Sequence, residues 1–365
     1  MPASLIETLR SYAREEHEPD RSVLLRVFDP AAIDTEALLA LAEEPRRRYF
    51  DSKVQVHILD NIRNGYCAED CGYCAQRKSA QAEEIPAYAT KETEEILREA
   101  ESAFRSGAYR FCLVTSGTGP TPNSVERYAD IIRQIKSKYP MRLCLSAGII
   151  KNSEHARILA AAGLDRYNHN LNTSEDHTPE ITKTHTYQDR ITTIRHLKDA
   201  GISVCSGVIA GMGESAADLV DVALRLRELK VPSIPVNFFL PVPGHEVKSP
   251  SPLTADSCIR ALCMFRLANP SAEIRMAAGR EVYIADRQPQ ALRAANSLFV
   301  SGYLNVKGSD AAETYAMIEQ AGYSIDAELS DLDPELRARL QKAGAEFAPA
   351  SVVMKTREDL RAFAD

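Results

Sequence analysis

The chain has 365 residues, of which 44% are hydrophobic and 26% are charged, and its formal net charge is −7. This composition suits one large α/β barrel or two modest domains, and the negative charge argues against nucleic acid as a partner. No apolar run approaches the length of a membrane span, and the start of the chain mixes acids with bases, unlike a secretory signal or a transit peptide. We therefore expect a cytoplasmic protein that binds neither nucleic acid nor membrane.

Strands and helices alternate through most of the chain. Residues 1–50 are predicted to form a helical N-terminal extension, and residues 51–325 the main domain. The predicted strands cover residues 54–59, 110–115, 142–147, 166–170, 203–209, 234–240, 273–277 and 297–300. The predicted helices cover residues 91–105, 124–138, 154–162, 187–200, 216–229, 255–267, 289–295 and 311–320.

This alternation is typical of a parallel sheet built from β/α units. Eight units within residues 51–325 favour an α/β fold of the (β/α)8 TIM-barrel type over an open doubly wound sheet. An open sheet is the alternative if two of the predicted strands do not form. Residues 326–365 are predicted to be an appended C-terminal tail that is partly helical.

Three cysteines carry the most specific chemical signal in the chain. Cys67, Cys71 and Cys74 have the spacing C-x3-C-x2-C, and an aromatic residue, Tyr73, precedes the last of them. Four thiolates would saturate the irons of a [4Fe–4S] cluster, whereas three leave one iron open to an outside ligand. This triplet resembles the signature of radical S-adenosylmethionine (SAM) enzymes, in which SAM binds the open iron. A zinc loop or three unrelated cysteines are the alternatives.

Three further cysteines fall within predicted strands. Cys112, Cys144 and Cys205 belong to three different strands, and alternate residues of a barrel strand point into the interior. They can therefore converge at one depth, although any one of them could equally be a buried packing residue. Cys258 and Cys263 lie on a predicted outer helix and are expected to serve packing only.

Longer motifs make the resemblance more specific. The segments Tyr-Asn-His-Asn-Leu-Asn-Thr-Ser at 167–174, Cys-Ser-Gly-Val-Ile-Ala-Gly-Met-Gly-Glu at 205–214 and Ala-Gly-Arg-Glu at 278–281 closely resemble motifs of the biotin synthases. The similarity runs over residues 54–323. It implies a radical SAM sulfurtransferase that converts dethiobiotin to biotin, with a low-potential electron donor such as flavodoxin or ferredoxin and a homodimeric assembly.

The resemblance also implies a second, auxiliary iron–sulfur cluster inside the barrel, expected to be [2Fe–2S], which donates the sulfur. Its ligands would be Cys112, Cys144, Cys205 and, unusually, Arg280. Arginine stays cationic in proteins and is a poor metal ligand, so a structural ion pair is the alternative for Arg280. The residues that would act in catalysis are Cys67, Cys71, Cys74 and Cys205.

The resemblance to the biotin synthases also implies binding roles for individual residues of this chain. SAM would be held by Arg190, through a charge-assisted contact to its carboxylate, and by the residues Tyr73, Asn170, Asn172, Gly207, Ile209, Gly211 and Glu214. The ureido ring of the substrate would be bound by three asparagines, whose amides match it without charge: Asn168, Asn170 and Asn237. Satisfied core amides and ordinary turn glycines are the alternatives.

The chain departs from the family pattern at two places. Asn172 stands where an Asp is common, and Asn305-Val306 stands where a Thr-Thr pair often holds the carboxylate tail of the substrate. Lys307 is a candidate for that contact instead. Two other functions remain open: a radical SAM enzyme that acts on a small amino-acid-like or thiazolidine-like molecule without a sacrificial cluster, and a non-catalytic iron–sulfur carrier.

Overall fold

The computed structural model describes residues 4–80, 85–327, 332–340 and 351–364. Within these ranges no helix is both long and apolar enough to cross a membrane. The strands are β1 (Lys53–Arg63), β2 (Arg110–Thr115), β3 (Arg142–Ser146), β4 (Arg166–Asn168), β5 (Ser203–Cys205), β6 (Val208–Ala210), β7 (Ser233–Phe238), β8 (Glu273–Met276), β9 (Ser297–Val300) and β10 (Ser324–Ile325).

These strands form a closed parallel barrel. Each of the strands from β1 to β9 pairs in parallel with its neighbours, and β1 also pairs with β9, which closes the ring. β5 and β6 together form one stave between β4 and β7. The predicted (β/α)8 barrel is therefore confirmed, and β10 is a short addition that pairs with the first residues of β1.

The fifth stave is broken, whereas the sequence predicted one continuous strand over residues 203–209. β5 ends at Cys205, and the pairing resumes at Val208 opposite Val236 of β7. At Gly207, between the two strands, a Cβ atom would overlap the carbonyl oxygen of Pro235. The backbone can approach β7 this closely only because glycine has no side chain.

The helices of the barrel are α4 (Thr93–Arg105), α5 (Pro122–Lys138), α6 (Ser153–Ala161), α7 (Thr178–Ile181), α8 (Tyr187–Asp199), α9 (Ala216–Glu228), α10 (Ala255–Ala268), α11 (Arg280–Tyr283), α12 (Gln288–Ala291) and α13 (Ala311–Gln320). Several of them begin at a capping box, in which the N-cap side chain and the third helical residue bond each other's backbone: Thr121, Thr186, Ser215, Thr254 and Asp310. The helix predicted at 289–295 is instead a single turn, α12, which ends at Ala291 and follows α11 and a 3-10 turn at Ala285–Arg287.

The N-terminal residues form α1 (Leu5–Ala13), α2 (Arg21–Leu25), a 3-10 turn (Arg26–Phe28) and α3 (Thr35–Phe50). This segment packs on α10, where Arg260 donates hydrogen bonds to the carbonyls of Val27 and Ile33 at 2.8 and 3.0–3.1 Å. Because α10 is covered on both sides, Cys258 and Cys263 are fully buried in the apolar core, as their prediction as packing residues requires. The described tail contains α14 (Pro334–Leu340) and α15 (Arg357–Leu360).

Candidate iron–sulfur active site

A cavity of about 320 Å³ lies at the carboxyl ends of the barrel strands, which is the face where barrels of this type place their active sites. Its volume is that of a small-ligand site. Five cysteines line it, three from the loop after β1 and two from β2 and β3: Cys67, Cys71, Cys74, Cys112 and Cys144. The fold therefore brings the first set of cysteines and two members of the second set to one cavity, whereas Cys205 is not among the lining residues.

The cysteine loop is anchored by Asp70, a residue that sequence reasoning passed over. Its carboxylate accepts hydrogen bonds from the Thr182 hydroxyl at 2.7 Å, the Lys183 amide at 3.0 Å and the Thr184 hydroxyl at 2.8 Å. Burial alone would raise the pKa of Asp70, but these donors hold it well below its ordinary value. The loop is thus tied to the segment that follows α7.

The thiols of this loop are suited to a positively charged metal centre. Burial raises the pKa of Cys71, and it raises that of Cys74 to about 12, so neither is a thiolate without a nearby cation. In the ranges that the structure describes, no three His, Cys, Asp or Glu side chains are arranged as ligands of a single metal ion.

A hydrogen-bonded chain links the cysteine loop to Arg190. Glu69 Oε2 lies 2.6 Å from His185 Nδ1, and His185 Nε2 lies 2.5 Å from Arg190 Nη2. Burial lowers the pKa of His185, so the neutral ring donates from Nδ1 to Glu69 and accepts from Arg190 at Nε2. Arg190 also donates to the Asn170 carbonyl at 2.8 Å, and its guanidinium lines the cavity as a fixed cation.

The asparagines of the 167–174 motif also lie at the cavity. Asn172 has a left-handed backbone (φ +69°), which Asn tolerates better than most residues, and its amide donates to the Tyr73 hydroxyl at 2.5 Å. Asn170 accepts a hydrogen bond from the Gly207 amide at 3.1 Å. The Ile209 amide donates to the Asn172 carbonyl at 2.8 Å, so the loop after β4 is fastened to the broken stave.

Glu214 does not reach into the cavity. Its two carboxylate oxygens accept from the backbone amides of Gly211 and Met212, both at 2.7 Å. Gly211 has a left-handed backbone (φ +98°), in which L residues with a side chain are strained. Glu214 therefore shapes the turn after β6, and of this motif only Ile209 lines the cavity.

Two of the predicted substrate asparagines are held by the barrel. Asn168 donates to the Ser146 hydroxyl at 3.3 Å, and Asn237 donates to the Val208 carbonyl at 3.0 Å. Asn237 also accepts from the Ala278 amide at 3.3 Å. Both line the cavity with Asn170, so the structure brings the three amides together.

The strand cysteines meet inside the barrel. Cys112 and Cys144 are directly opposite each other in the β2–β3 register. A hydrogen bond from the Cys144 thiol lowers the pKa of Cys112, and Arg275 and Arg110 act in the same direction. Cys205 is 1% exposed, and its Sγ lies 3.4 Å from Arg275 Nη1.

Arg275, and not Arg280, is the arginine that lies beside these cysteines. Arg280 is the first residue of α11, where Gly279 with its left-handed backbone has already turned the chain away from the strand. Its guanidinium bonds the side chain of Gln288 and the Phe299 carbonyl, the latter at 3.1 Å. The structure therefore separates Arg280 from the three cysteines to which the sequence assigned it.

A buried polar layer supports Arg275. Glu273 contacts Arg275 and Arg166 directly, and its Oε1 lies 3.0 Å from His57 Nε2. Burial alone would raise the pKa of Glu273, but the two arginines hold it well below its ordinary value. The sequence signal for this layer was two charged residues, at 273 and 275, on one face of a strand that is otherwise apolar.

Comparison with known proteins identifies the family. The Radical SAM superfamily matches residues 62–226, and the Biotin and Thiamin Synthesis associated domain matches residues 235–324. The biotin synthase of Leptospira interrogans is 55% identical over 294 residues, which cover 80% of this chain and 83% of that protein. The chain belongs to the biotin synthase family. The family member of Acaryochloris marina is 48% identical over 87% of this chain and 90% of its own.

Solved structures show the same fold at low sequence identity. Methylornithine synthase aligns with a TM-score of 0.73 at 17% identity and covers 88% of this chain and 98% of its own. The FeFe-hydrogenase maturase of Carboxydothermus hydrogenoformans aligns with a TM-score of 0.74 at 14% identity, over 92% of this chain and 81% of its own. The family membership thus rests on sequence, and these two structures support the barrel alone.

Proposed function

We propose that this radical SAM enzyme converts dethiobiotin to biotin, with Cys67, Cys71 and Cys74 as ligands of a [4Fe–4S] cluster that binds SAM. When bound, the cluster with SAM would supply a radical able to remove hydrogen from unactivated carbons, and an auxiliary cluster would supply the sulfur. The observation that carries the proposal is one cavity lined by Cys67, Cys71 and Cys74 together with the strand cysteines Cys112 and Cys144. The protein contributes position and exclusion of water.

The cavity wall near the first cysteines is suited to SAM. Arg190 is a buried cation whose orientation is fixed by His185 and the Asn170 carbonyl, so it can meet a carboxylate without rearrangement. The Asn172 side chain is held against Tyr73 by its NH2 group, so its Oδ1 atom is available to accept a hydrogen bond from a ribose hydroxyl. Gly207, Gly211 and Glu214 act through the backbone that they shape, whereas Ile209 faces the ligand.

The strand cysteines are suited to an auxiliary cluster, which we expect to be [2Fe–2S]. Arg166 and Arg275 both pair with the buried Glu273, and Arg110 is a third buried arginine near Cys112, so the interior carries excess positive charge beside the strand thiols. Thiolates that hold a cluster would offset that charge. In this assignment Cys112, Cys144 and Cys205 are the ligands, Arg275 takes the fourth position in place of Arg280, and Cys205 acts in sulfur transfer.

The substrate would occupy the space between the two groups. Asn168, Asn170 and Asn237 line this part of the cavity, and their amides can match the donors and acceptor of a cyclic urea. The amides of Asn168 and Asn237 are oriented by bonds to the barrel, so little side-chain entropy is lost on binding. We also propose a cytoplasmic homodimer that takes electrons from a flavodoxin or a ferredoxin.

Product analysis tests the proposal directly. The protein is reconstituted anaerobically and incubated with dethiobiotin, SAM and a low-potential reductant, and the products are identified by mass spectrometry. We expect biotin together with 5′-deoxyadenosine. If SAM is cleaved and dethiobiotin is recovered unchanged, the substrate assignment falls.

A count of iron separates the proposal from a radical SAM enzyme without a sacrificial cluster. We expect about six irons per reconstituted chain, whereas about four would leave the strand cysteines as packing residues. A non-catalytic iron–sulfur carrier would bind no SAM, so a SAM-binding titration of the reconstituted protein distinguishes it from both enzymes.

A further inference from the structure

Residues 353–355 of the C-terminal tail lie at the edge of the cavity. Residues 353–355 run antiparallel to residues 305–307, in the loop that follows β9. The Lys307 amide donates to the Val353 carbonyl at 2.8 Å, and the Lys355 amide donates to the Asn305 carbonyl at 2.7 Å. Val306 and Met354 are the paired residues between these two bonds. The tail therefore adds a short strand to this loop.

Met354 faces the cavity from this added strand. Its side chain lines the cavity with Tyr303, Asn305 and Val306. The Asn305 side chain is already engaged, since its oxygen accepts from the Asn64 amide at 2.7 Å. Lys307 is engaged as well, because it pairs with Asp359 of the tail at 2.7 Å. Val306 and Met354 thus give this part of the cavity an apolar surface.

An ion pair fixes the tail to the outside of the barrel. Arg361 Nη2 and Nε lie 2.5 and 3.1 Å from the two oxygens of Glu95 on α4, in a two-point contact. The Glu95 side chain is 3% exposed. The Arg361 guanidinium also stacks over the Tyr88 ring, 5.7 Å from its centroid. Without the tail, a buried carboxylate would lose this cation, which is costly.

Apolar burial contributes little to this attachment. Val352, Val353 and Phe363 are among the most exposed large apolar side chains of the described residues, whereas Leu360 is buried. Residues 351–364 are therefore held mainly by backbone pairing and by ion pairs at Glu95 and Lys307. The backbone pairing and the ion pairs position Met354, which is the apolar side chain of this segment that faces the cavity.

We propose that residues 353–361 form a wall of the substrate cavity and that Met354 packs against the aliphatic chain of the substrate. This inference rests on the proposed function, because it assigns the bound molecule an alkyl chain that runs past Val306. The wall sets how long a chain the cavity accepts and keeps water from that end. Met354 is a specificity-determining residue in this assignment, and Arg361 is a positioning residue.

The test uses the reconstituted full-length enzyme and three variants. We expect Met354→Ala and Arg361→Ala to raise the half-saturating concentration of dethiobiotin about tenfold, with less than a twofold change for SAM. Val352→Ala, which changes an exposed tail side chain, should match the parent. The double variant Glu95→Gln/Arg361→Gln keeps a neutral hydrogen-bonded pair and should recover most of the loss caused by Arg361→Ala.

Hydrogen exchange of the same holoenzymes gives a readout that does not depend on turnover. We expect residues 303–307 to exchange faster in Arg361→Ala than in the parent, and dethiobiotin to slow exchange at residues 353–361. A parent that makes no biotin would overturn the proposed function, and the exchange data would still test the docking of the tail. Faster exchange in Arg361→Ala with parental half-saturation would overturn the wall, and unchanged exchange would overturn the docking.

Discussion

The Nη1 atom of Arg275 lies 3.4 Å from the Sγ atom of Cys205. The two residues come from strands on different sides of β7, and Ser233 of that strand donates to the same sulfur at 3.5 Å and accepts from Arg275 at 3.0 Å. This arrangement places a cation and a hydroxyl on the thiol to which we assign sulfur transfer.

Arg275→Lys should change the auxiliary cluster, and Arg280→Lys should not. Lysine keeps the charge that Glu273 requires but loses the planar two-point contact, so the barrel should fold while the visible absorption and the reduction potential of the cluster shift. Both variants are compared with the parent after identical reconstitution. A shifted spectrum in Arg280→Lys, with a parental spectrum in Arg275→Lys, would reverse our assignment.

Cys67→Ala and Cys205→Ala should fail at different steps. Cys67→Ala removes a ligand of the SAM-binding cluster and should abolish formation of 5′-deoxyadenosine. Cys205→Ala should still cleave SAM but form biotin at under about a tenth of the parental yield, because sulfur transfer requires the auxiliary cluster. Cys258→Ala, a buried cysteine of α10, is the control and should retain both products. Parental biotin yield from Cys205→Ala would refute the sulfur source.

Asn172 separates a backbone effect from a side-chain effect. Asn172→Gly and Asn172→Ala both remove the amide that contacts Tyr73, so both should raise the half-saturating SAM concentration about tenfold. Only alanine is strained at φ +69°, so it should be less stable than glycine by about 1 kcal/mol in thermal unfolding. Equal stabilities would show that the left-handed backbone relaxes.

His185→Ala should weaken SAM binding without changing the content of the iron–sulfur clusters. Arg190 loses its nitrogen partner and gains freedom, so we expect about a tenfold higher half-saturating SAM concentration and a kcat within about twofold. Iron content should be parental. The control is His196→Ala on the neighbouring helix α8, whose ring contacts the Ile150 carbonyl. If the effect fell on kcat alone, the positioning role would be wrong.

Asp218 gives a pH-dependent prediction. Burial alone would raise its pKa, but hydrogen bonds from Ser174 at 2.5 Å and from the Ser215 hydroxyl at 2.6 Å hold it below the ordinary value. A carboxyl with a lowered folded pKa stabilises above its unfolded pKa of about 3.9, and that stability is lost as pH falls through the folded value.

Asp218→Asn should therefore lose about 1–2 kcal/mol of unfolding free energy across pH 5–8. The difference from the parent should narrow only below about pH 4, the range in which the parental carboxyl takes up its proton. Asp221→Asn on the same helix removes an exposed pair with Arg21 and should cost less than about 0.5 kcal/mol. A difference that already varies between pH 5 and pH 8 would contradict the assignment.

The regular alternation of predicted strands and helices along the sequence was enough to predict the barrel. Strands rich in apolar residues and helices of regular length leave few other folds, and capping residues mark where several helices begin. The broken stave was not predictable, because the break depends on a contact between Gly207 and Pro235 that lies across two strands. Alternation along one strand does not reveal how closely the next strand approaches.

The candidate site, like the fold, was predictable from the sequence only in part. Cysteine spacing and the asparagine motif located residues that do line the cavity, since they lie on strands or in the loops that directly follow β1 and β4. Arg280 was assigned from a motif, although its neighbour in the same segment, Arg275, has the inward position. His185, Asp70 and Met354 were missed because their contacts join parts of the chain that are far apart in sequence.

The polar layer of His57, Arg166 and Glu273 joins three strands across the barrel interior, and all three side chains are buried. Cys205 contacts the same layer through Arg275, which pairs with Glu273. If Cys205 holds the proposed auxiliary cluster, iron and sulfide that rebuild the cluster would reach it through the cavity in which we propose that the substrate binds. Repair of the cluster would then alternate with turnover of the substrate, because both would use the same cavity.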